Sequence, residues 1–313
     1  MASSLYVVTG GAGFIGSAIV RALLTRGDRV RVLDNLSTGR RSNLAEVASD
    51  IEFLEGDVRD ESMLERALAG VEVVFHEAAI PSVPRSLVDP IGSHDSNATA
   101  TLKLLHQAKK AGVRRVVYAA SSSAYGDTPV LPKVETMSPA PLSPYAVSKL
   151  AGEYYLQVYA GAYGLETVSL RYFNVFGPRQ DPASEYAAVI PRFITAALAG
   201  KGVTIYGDGT QSRDFCFIDN TVEANLAAAS APGASGKVFN VAVGTATTLN
   251  EVVKQLEPLL GHPIPITYAP RRVGDVMHSL ADNEAARRVL GYRGAIDFPE
   301  GLRRTLEWYS KSR

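Results

Sequence analysis

Glycines 10, 13 and 16, spaced Gly-x-x-Gly-x-x-Gly in Thr9-Gly10-Gly11-Ala12-Gly13-Phe14-Ile15-Gly16, constrain the fold of this chain more than any other feature. They follow a short apolar run, Leu5-Tyr6-Val7-Val8, and open a stretch of helical periodicity from Gly13 to Arg26. A strand, a tight glycine turn and a helix bring bare backbone up to a pyrophosphate and aim a helix N-terminus at its charge. The spacing alone is weak; the strand–turn–helix setting gives it weight. Gly10, Gly13, Phe14 and Ile15 are therefore expected against a dinucleotide.

The first half of the chain repeats this alternation. Strands are expected at Leu5–Thr9, Arg29–Leu33, Glu52–Glu55, Val71–His76, Arg115–Ala119 and Glu166–Arg171. Helices are expected at Gly13–Arg26, Ser62–Ala69, Asn97–Ala111 and Ala146–Tyr163. The pattern predicts an α/β fold, a Rossmann-type doubly wound parallel sheet with helices on both faces. Ser62 with Glu65, and Thr248 with Glu251, have capping-box spacing and mark helix starts. Gly/Pro-rich loops near Gly177-Pro178, Tyr206-Gly207-Asp208-Gly209 and Arg271–Asp275 break up the last third. The expected division is an NAD-binding domain over residues 1–175 and a smaller α/β substrate lobe over 176–313, part of which returns to the sheet.

Composition excludes several function classes. Lys plus Arg equals Asp plus Glu at 32 each, so no net field favours nucleic acid or an anionic membrane. No run of about 18 apolar residues exists to span a bilayer. The N-terminus lacks a basic segment followed by a long apolar one, so no signal peptide is expected. Cys216 is the only cysteine and reads as a small buried hydrophobe; its solitude suits a reducing, cytoplasmic setting. The triplet Asn97-Ala98-Thr99 would then never be glycosylated. No metal is expected.

Asp34 ends the second strand, 18 residues past Gly16. An acid there accepts hydrogen bonds from a ribose 2′-hydroxyl and repels a 2′-phosphate, which favours NAD over NADP. Arg40 and Arg41 argue weakly the other way and read better as solvated loop charges. Asp57-Val58 is expected to flank the adenine, and Ala78 and Ala79 to let the cofactor lie against backbone. His76 reads as a packed histidine, and Asn97 as the cap of the next helix or a group that organises the site.

Tyr145 and Lys149 are four residues apart, about one helical turn, and share a face. A cation about 4 Å away at an effective dielectric near 20 is worth about 4 kcal/mol. That would lower a phenol by roughly three pKa units, into the range where a general acid/base works best. Alone, Tyr-x-x-x-Lys is also an ordinary amphipathic helix face.

Together these segments resemble the extended short-chain dehydrogenase/reductase family, from about Tyr6 to Tyr309. The resemblance is carried by Gly-Gly-Ala-Gly-Phe-Ile-Gly, Asp34-Asn35-Leu36-Ser37-Thr38-Gly39, Ser121-Ser122-Ser123-Ala124-Tyr125-Gly126, Tyr145-x-x-x-Lys149 and Arg171-Tyr172-Phe173-Asn174-Val175-Phe176-Gly177-Pro178. Within the family the chain looks most like the nucleotide-sugar 4-epimerases. Ser82-Val83-Pro84-Arg85-Ser86, Tyr186-Ala187-Ala188-Val189-Ile190-Pro191 and Ser212-Arg213-Asp214-Phe215-Cys216 resemble the branch acting on UDP-N-acetylhexosamines.

The resemblance implies NAD as cofactor, a UDP-sugar as substrate and a homodimer paired through the helices Asn97–Ala111 and Ala146–Tyr163. Ala151, Tyr154, Tyr155 and Val158 fit such an interface, and core packing explains them equally. It implies Ser121 as the catalytic hydroxyl, Tyr145 as acid/base, and Lys149 on the cofactor ribose; Asn35, Thr38 and Gly39 would join the cofactor site. Ser82, Ser123, Asn174 and Tyr206 would meet the substrate. Ala188, Val189 and Phe193 would line the uridine pocket, Arg213 and Arg272 clamp the phosphates, and Asp275 contact the ribose. Paired arginines also suit a diphosphate on charge alone.

The implied reaction is reversible 4-epimerisation through a transient 4-keto sugar and bound NADH. The family's 4,6-dehydratases carry an Asp-Glu pair where this chain has Ser122 and Ser123, which are poor acids and bases. Epimerisation or decarboxylation of a UDP-glucuronate would need a cation for the sugar carboxylate, for which Arg85 is the candidate. A dehydrogenase releasing NADH each turn, and a non-catalytic nucleotide-sugar sensor, also remain open. Ser279, four residues past Asp275, resembles a gate beside the sugar 2-substituent. Its small side chain is expected to admit UDP-GlcNAc and UDP-GalNAc along with UDP-glucose and UDP-galactose.

Overall fold

The computed structural model describes residues 4–182, 188–271 and 276–311. Seven parallel strands form its central sheet: β1 (Leu5–Thr9), β2 (Arg29–Asp34), β3 (Ile51–Glu55), β4 (Val73–His76), β5 (Arg115–Ser121), β6 (Glu166–Tyr172) and β7 (Lys237–Val241). The spatial order is β7-β6-β5-β4-β1-β2-β3. From β1 the chain first moves outward through β2 and β3, then crosses back to β4 and continues the other way. Direction reverses between β1 and β4, and a crevice opens there at the carboxyl ends of the strands.

Both faces of the sheet are covered, so its central strands β1 and β4 read as buried, mostly apolar runs rather than alternating ones. Val8 and Val32 pack with Ile19, Val20 and Leu23 of helix α1 (Phe14–Thr25) on one face. Val7 and Leu33 pack with Leu64 and Leu68 of α2 (Glu61–Leu68) on the other. Neighbouring residues of one strand thus serve opposite layers. The parallel ladder carries β5 and β6 beyond their expected ends, pairing Ser121 with Tyr172. It likewise extends β2 to Asp34, opposite Glu55. Ser121 and Asp34 therefore stand at strand ends, over the crevice.

Helix starts differ from the sequence reading in several places; the helix expected from Ala146 begins at Pro144. α2 is capped by Asp60, not Ser62. Asp60 Oδ1 accepts from the Ser62 nitrogen at 2.9 Å, and the Ser62 hydroxyl also donates to it at 2.8 Å. A carboxylate is the stronger acceptor and lies at the correct offset. Asn97 does not begin its helix either. Helical turns start at Pro90, and Asn97 lies in a widened turn, Asp95–Thr99, that leads into Ala100–Lys110. The Thr248–Glu251 capping box is present, with Glu251 N donating to Thr248 Oγ1 at 3.1 Å and Thr248 N to Glu251 Oε2 at 2.7 Å.

Beyond β6, short strands pair away from the sheet: Val203–Tyr206 with Ile266–Ala269, Ser212–Asp214 with Ala246–Thr248, and Val175–Phe176 with Cys216–Phe217. Among the described residues no helix is long and apolar enough to cross a membrane.

Candidate active site

A cleft of about 1670 Å³ lies along the carboxyl edge of the sheet, and an adjoining pocket of about 240 Å³ shares Asn174, Val175, Ala188 and Arg213 with it. Ordinary small-ligand pockets occupy about 300–1,000 Å³. The cleft therefore has room for more than one such ligand.

At the β1 end the glycine turn forms a cradle. Gly10 has φ +67°, and a β-carbon on it would lie 2.7 Å from the Ala78 nitrogen. A β-carbon on Gly16 would run into the Gly10 carbonyl. Gly13, Phe14 and Ile15 line the cleft where α1 begins. Bare backbone, a helix N-terminus and the reversal point coincide, which fits a dinucleotide pyrophosphate.

Asp34 is buried and already engaged. Its Oδ2 accepts from Ala12 N at 2.9 Å and its Oδ1 from Leu36 N at 2.8 Å, which ties the glycine turn to the end of β2. Burial raises its pKa against those two donors. Beside it, Asn35 Nδ2 donates to Asp57 Oδ2 at 2.8 Å. Arg59 grips both Asp57 oxygens and holds that carboxyl well down, to about 2. Asn35, Thr38, Asp57, Val58, Ala78 and Ala79 all line the cleft.

Gly39 and Asn97 lie behind the wall instead. A β-carbon on Gly39 would come within 2.9 Å of Asp34 Oδ2. Asn97 Oδ1 accepts from Ile80 N at 2.8 Å, and its Nδ2 donates to Ser148 Oγ at 3.1 Å, tying the strand-end loop to the tyrosine-bearing helix. Arg40 and Arg41 are exposed loop charges, as read, and each also makes an ion pair, to Asp181 and Glu55.

The carboxyl ends of β5 and of the loop before the long helix Pro144–Tyr163 bring the next set together. Ser121 Oγ accepts from Ser123 Oγ at 2.8 Å, and the serine hydroxyl favours ionisation of the Tyr145 phenol. Ser143 caps the helix through Ala146 N at 3.2 Å, placing Tyr145 and Lys149 on its first turns. The Lys149 ammonium donates to Ala119 O at 2.8 Å and lies 4.9 Å from the Tyr118 ring centre.

The sequence reading expected Lys149 to depress the Tyr145 phenol. In the structure that pKa is raised, chiefly by burial and only partly offset by Ser121. The ammonium is spent on Ala119 and Tyr118, and burial lowers its own pKa. His76 is a packed histidine between Thr9 and Thr101, driven down to about 3 by burial and then by Lys149, hence neutral.

On the far side, Asn174, Ala188, Arg213 and Ser279 line the cleft, and Ser82 caps the helix Val83–Val88 at its edge. Val189, Phe193 and Tyr206 line the smaller pocket. Arg213 Nη1 donates to the carbonyls of Ser212 and Met277, at 2.9 and 3.2 Å. Ser279 N donates to Ser212 O at 3.1 Å. Arg272 and Asp275 lie outside the described residues.

Two acids escaped the sequence reading. Asp214, fully buried, collects the backbone nitrogens of Val243, Gly244 and Ala281 at 3.0, 3.0 and 3.2 Å and so fixes the loops around Arg213 and Ser279. Glu77 follows β4 directly and faces the cleft. Its signal was an ionisable residue at a strand end on the reversal point.

Comparison with known proteins agrees with this geometry. A family described as the NAD dependent epimerase/dehydratase family matches residues 6–242. A UDP-glucose 4-epimerase of Mycolicibacterium smegmatis is 42% identical over 308 residues, covering 97% of each chain. A UDP-N-acetylglucosamine 4-epimerase of Methanobrevibacter ruminantium, solved with UDP-N-acetylmuramic acid, superposes with TM-score 0.95 at 40% identity and covers 100% of both chains. The UDP-glucose 4-epimerase of Thermus thermophilus, solved with NAD, gives TM-score 0.90 at 38% identity, covering 99% of this chain and 100% of that one.

Proposed function

The chain belongs to the NAD dependent epimerase/dehydratase family, and from that membership we propose that it is an NAD-dependent enzyme inverting C4 of a UDP-hexose. The observation that carries this reading is the convergence of Ser121, Tyr145 and Lys149 on one cleft with the glycine cradle and Arg213. We assign residues 1–175 to NAD binding and 176–313 to the UDP-sugar. Bound NAD supplies a reversible two-electron acceptor and, while oxidised, a positive charge in the cleft. Asp34 and the Gly10–Ile15 turn hold it; Asn35, Thr38, Asp57, Val58, Ala78 and Ala79 give it walls.

Burial raises the Tyr145 phenol, and the positive charge of oxidised NAD beside it would lower it towards the range of a working base. Tyr145 then takes the proton of the sugar 4-hydroxyl, with Ser121 bonded to both oxygens. The C4 hydride would pass to bound NAD and, once the 4-keto sugar has turned over, would return to the opposite face of C4, while Tyr145 returns the proton to the 4-oxygen. The diphosphate stays clamped by Arg213, as a charged guanidinium suits, and Arg272 is proposed as its companion. Asn174, Ser82 and Ser123 contact the sugar side, and Ala188, Val189, Phe193 and Tyr206 the uridine. Asp275 is proposed on the uridine ribose. Small Ser279 leaves room for an acetamido group, so acetylated and plain UDP-hexoses are both substrates.

We also propose a homodimer in the cytoplasm; the buried, unpaired Cys216 thiol suits a reducing compartment. Purified protein given each UDP-sugar without added NAD should interconvert the C4 epimers. Stopping after one equivalent would mark a dehydrogenase instead, and no change a sensor. Tyr145→Phe should lower turnover by about 10²–10⁴-fold at unchanged melting temperature.

A further inference from the structure

The catalytic set leaves Glu77 unexplained: an acid facing the cleft next to the backbone that covers Gly10. Its carboxylate is built into place. Thr221 O holds Asn225 Nδ2 at 2.9 Å, Asn225 Nδ2 reaches Tyr172 Oη at 2.8 Å, and Tyr172 donates to Glu77 Oε1 at 2.8 Å. Tyr172 Oη also lies 3.1 Å from Asn225 Oδ1, so its one proton has two acceptors, and the network fixes the place of the Glu77 carboxyl.

The balancing charge is Lys149. Glu77 follows His76, which pairs with Tyr118 in the ladder, so it stands beside Ala119, whose carbonyl holds the Lys149 ammonium at 2.8 Å, and the two charges attract through space. Burial works against both ions, pushing Glu77 up and Lys149 down, and each offsets part of that effect on the other. The other titratable groups around them are His76, Tyr118, Tyr145, Tyr172 and Cys216. Burial keeps His76 neutral and holds protons on the phenols and the thiol. Glu153, which also acts on Tyr118, is consumed by Arg171 at 2.6 Å.

We propose that Glu77 is a positioning residue: a fixed counter-ion that keeps the Lys149 ammonium charged where the cofactor ribose would lie. The inference rests on the epimerase reading. Without Glu77 the buried ammonium loses its proton at lower pH, and the alkaline limb of activity moves with it.

The test is kcat/KM across about pH 6 to 10 for the parent and Glu77→Gln, which keeps the acceptor for Tyr172. The alkaline limb of the variant should lie about one unit lower. Glu77→Asp, which retains the charge, should restore most of it even if both variants melt earlier. A second readout needs no turnover: acetylation of Lys149 at neutral pH, read by peptide mass, should be about tenfold faster in Glu77→Gln. An unmoved limb with an unchanged acetylation rate would overturn the proposal while leaving the epimerase reading intact. A parent protein that fails to epimerise would instead sink that reading, and the acetylation comparison would still decide the role of Glu77.

Discussion

Gly10 and Ala78 face each other across the reversal point of the sheet so closely that a β-carbon on Gly10 would sit 2.7 Å from the Ala78 nitrogen. The contact joins the ends of β1 and β4, the two strands between which the cleft opens. Nothing soft is available to move, because both partners are backbone.

Gly10→Ala therefore meets both the left-handed penalty, about 1–2 kcal/mol, and a backbone collision. Gly27, at φ +81° with open space around it, supplies the control. Gly27→Ala should cost only the first contribution and leave NAD affinity unchanged. Gly10→Ala should melt lower still and lose NAD binding, measured by calorimetric titration beside thermal melts.

Arg59 fastens Asp57, with Nε to Oδ1 at 2.9 Å and Nη2 to Oδ2 at 2.7 Å, in the wall of the cleft. The carboxyl is held at about 2, below its unfolded value, so its stabilisation is complete above about pH 4 and is lost as pH falls towards 2. Arg59→Ala should thus lower the melting temperature at neutral pH, and the gap from the parent should close between about pH 4 and 2. The pair is largely exposed, so the effect at neutrality should stay under about 1 kcal/mol.

Ser279 is anchored by its own backbone nitrogen to Ser212 O at 3.1 Å, and its hydroxyl lies 3.5 Å from Asn174 Nδ2. A larger side chain there would project from a fixed backbone into the cleft. Ser279→Tyr should keep turnover of UDP-glucose and lose that of the acetylated sugars by about a hundredfold. Paired assays on UDP-galactose and UDP-GalNAc decide it, and equal loss on both would refute the gate.

How much of this was legible in the sequence depended on how local the physics is. The glycine turn, the apolar strands and the Thr248 cap are written in neighbouring residues, and each appears where the pattern put it, the strand ends shifting by one or two residues. Asp60 displaced Ser62 because two capping residues competed two positions apart and the carboxylate won. Asn97 read as a helix start because a polar residue heads an apolar pattern; only the tertiary pull of Ile80 and Ser148 accounts for it inside a helix. The raised Tyr145 phenol was hidden for the same reason. Helical spacing gives the proximity of Lys149, whereas desolvation and the direction of the ammonium depend on β5 and the cleft wall.

The helix Pro144–Tyr163 carries Tyr145 and Lys149 on its first turns and an apolar stripe along its outer side. Val147, Tyr154, Tyr155 and Val158 are exposed by 49, 49, 37 and 52%. Core packing within this chain therefore does not account for them. Val147, Ala151, Tyr154 and Val158 follow one another at intervals of four, three and four, the spacing of a seam between packed helices. An apolar surface of this kind fits the homodimer proposed above, with a second copy of the same helix as the partner the spacing suits. Light scattering should give twice the chain mass for the parent and a single chain for a Tyr154→Glu, Val158→Glu double variant. Because the helix also holds Tyr145 and Lys149, the proposed catalytic pair, that monomer should lose activity at temperatures where the parent remains active. A parent protein that is monomeric at micromolar concentration would refute the interface.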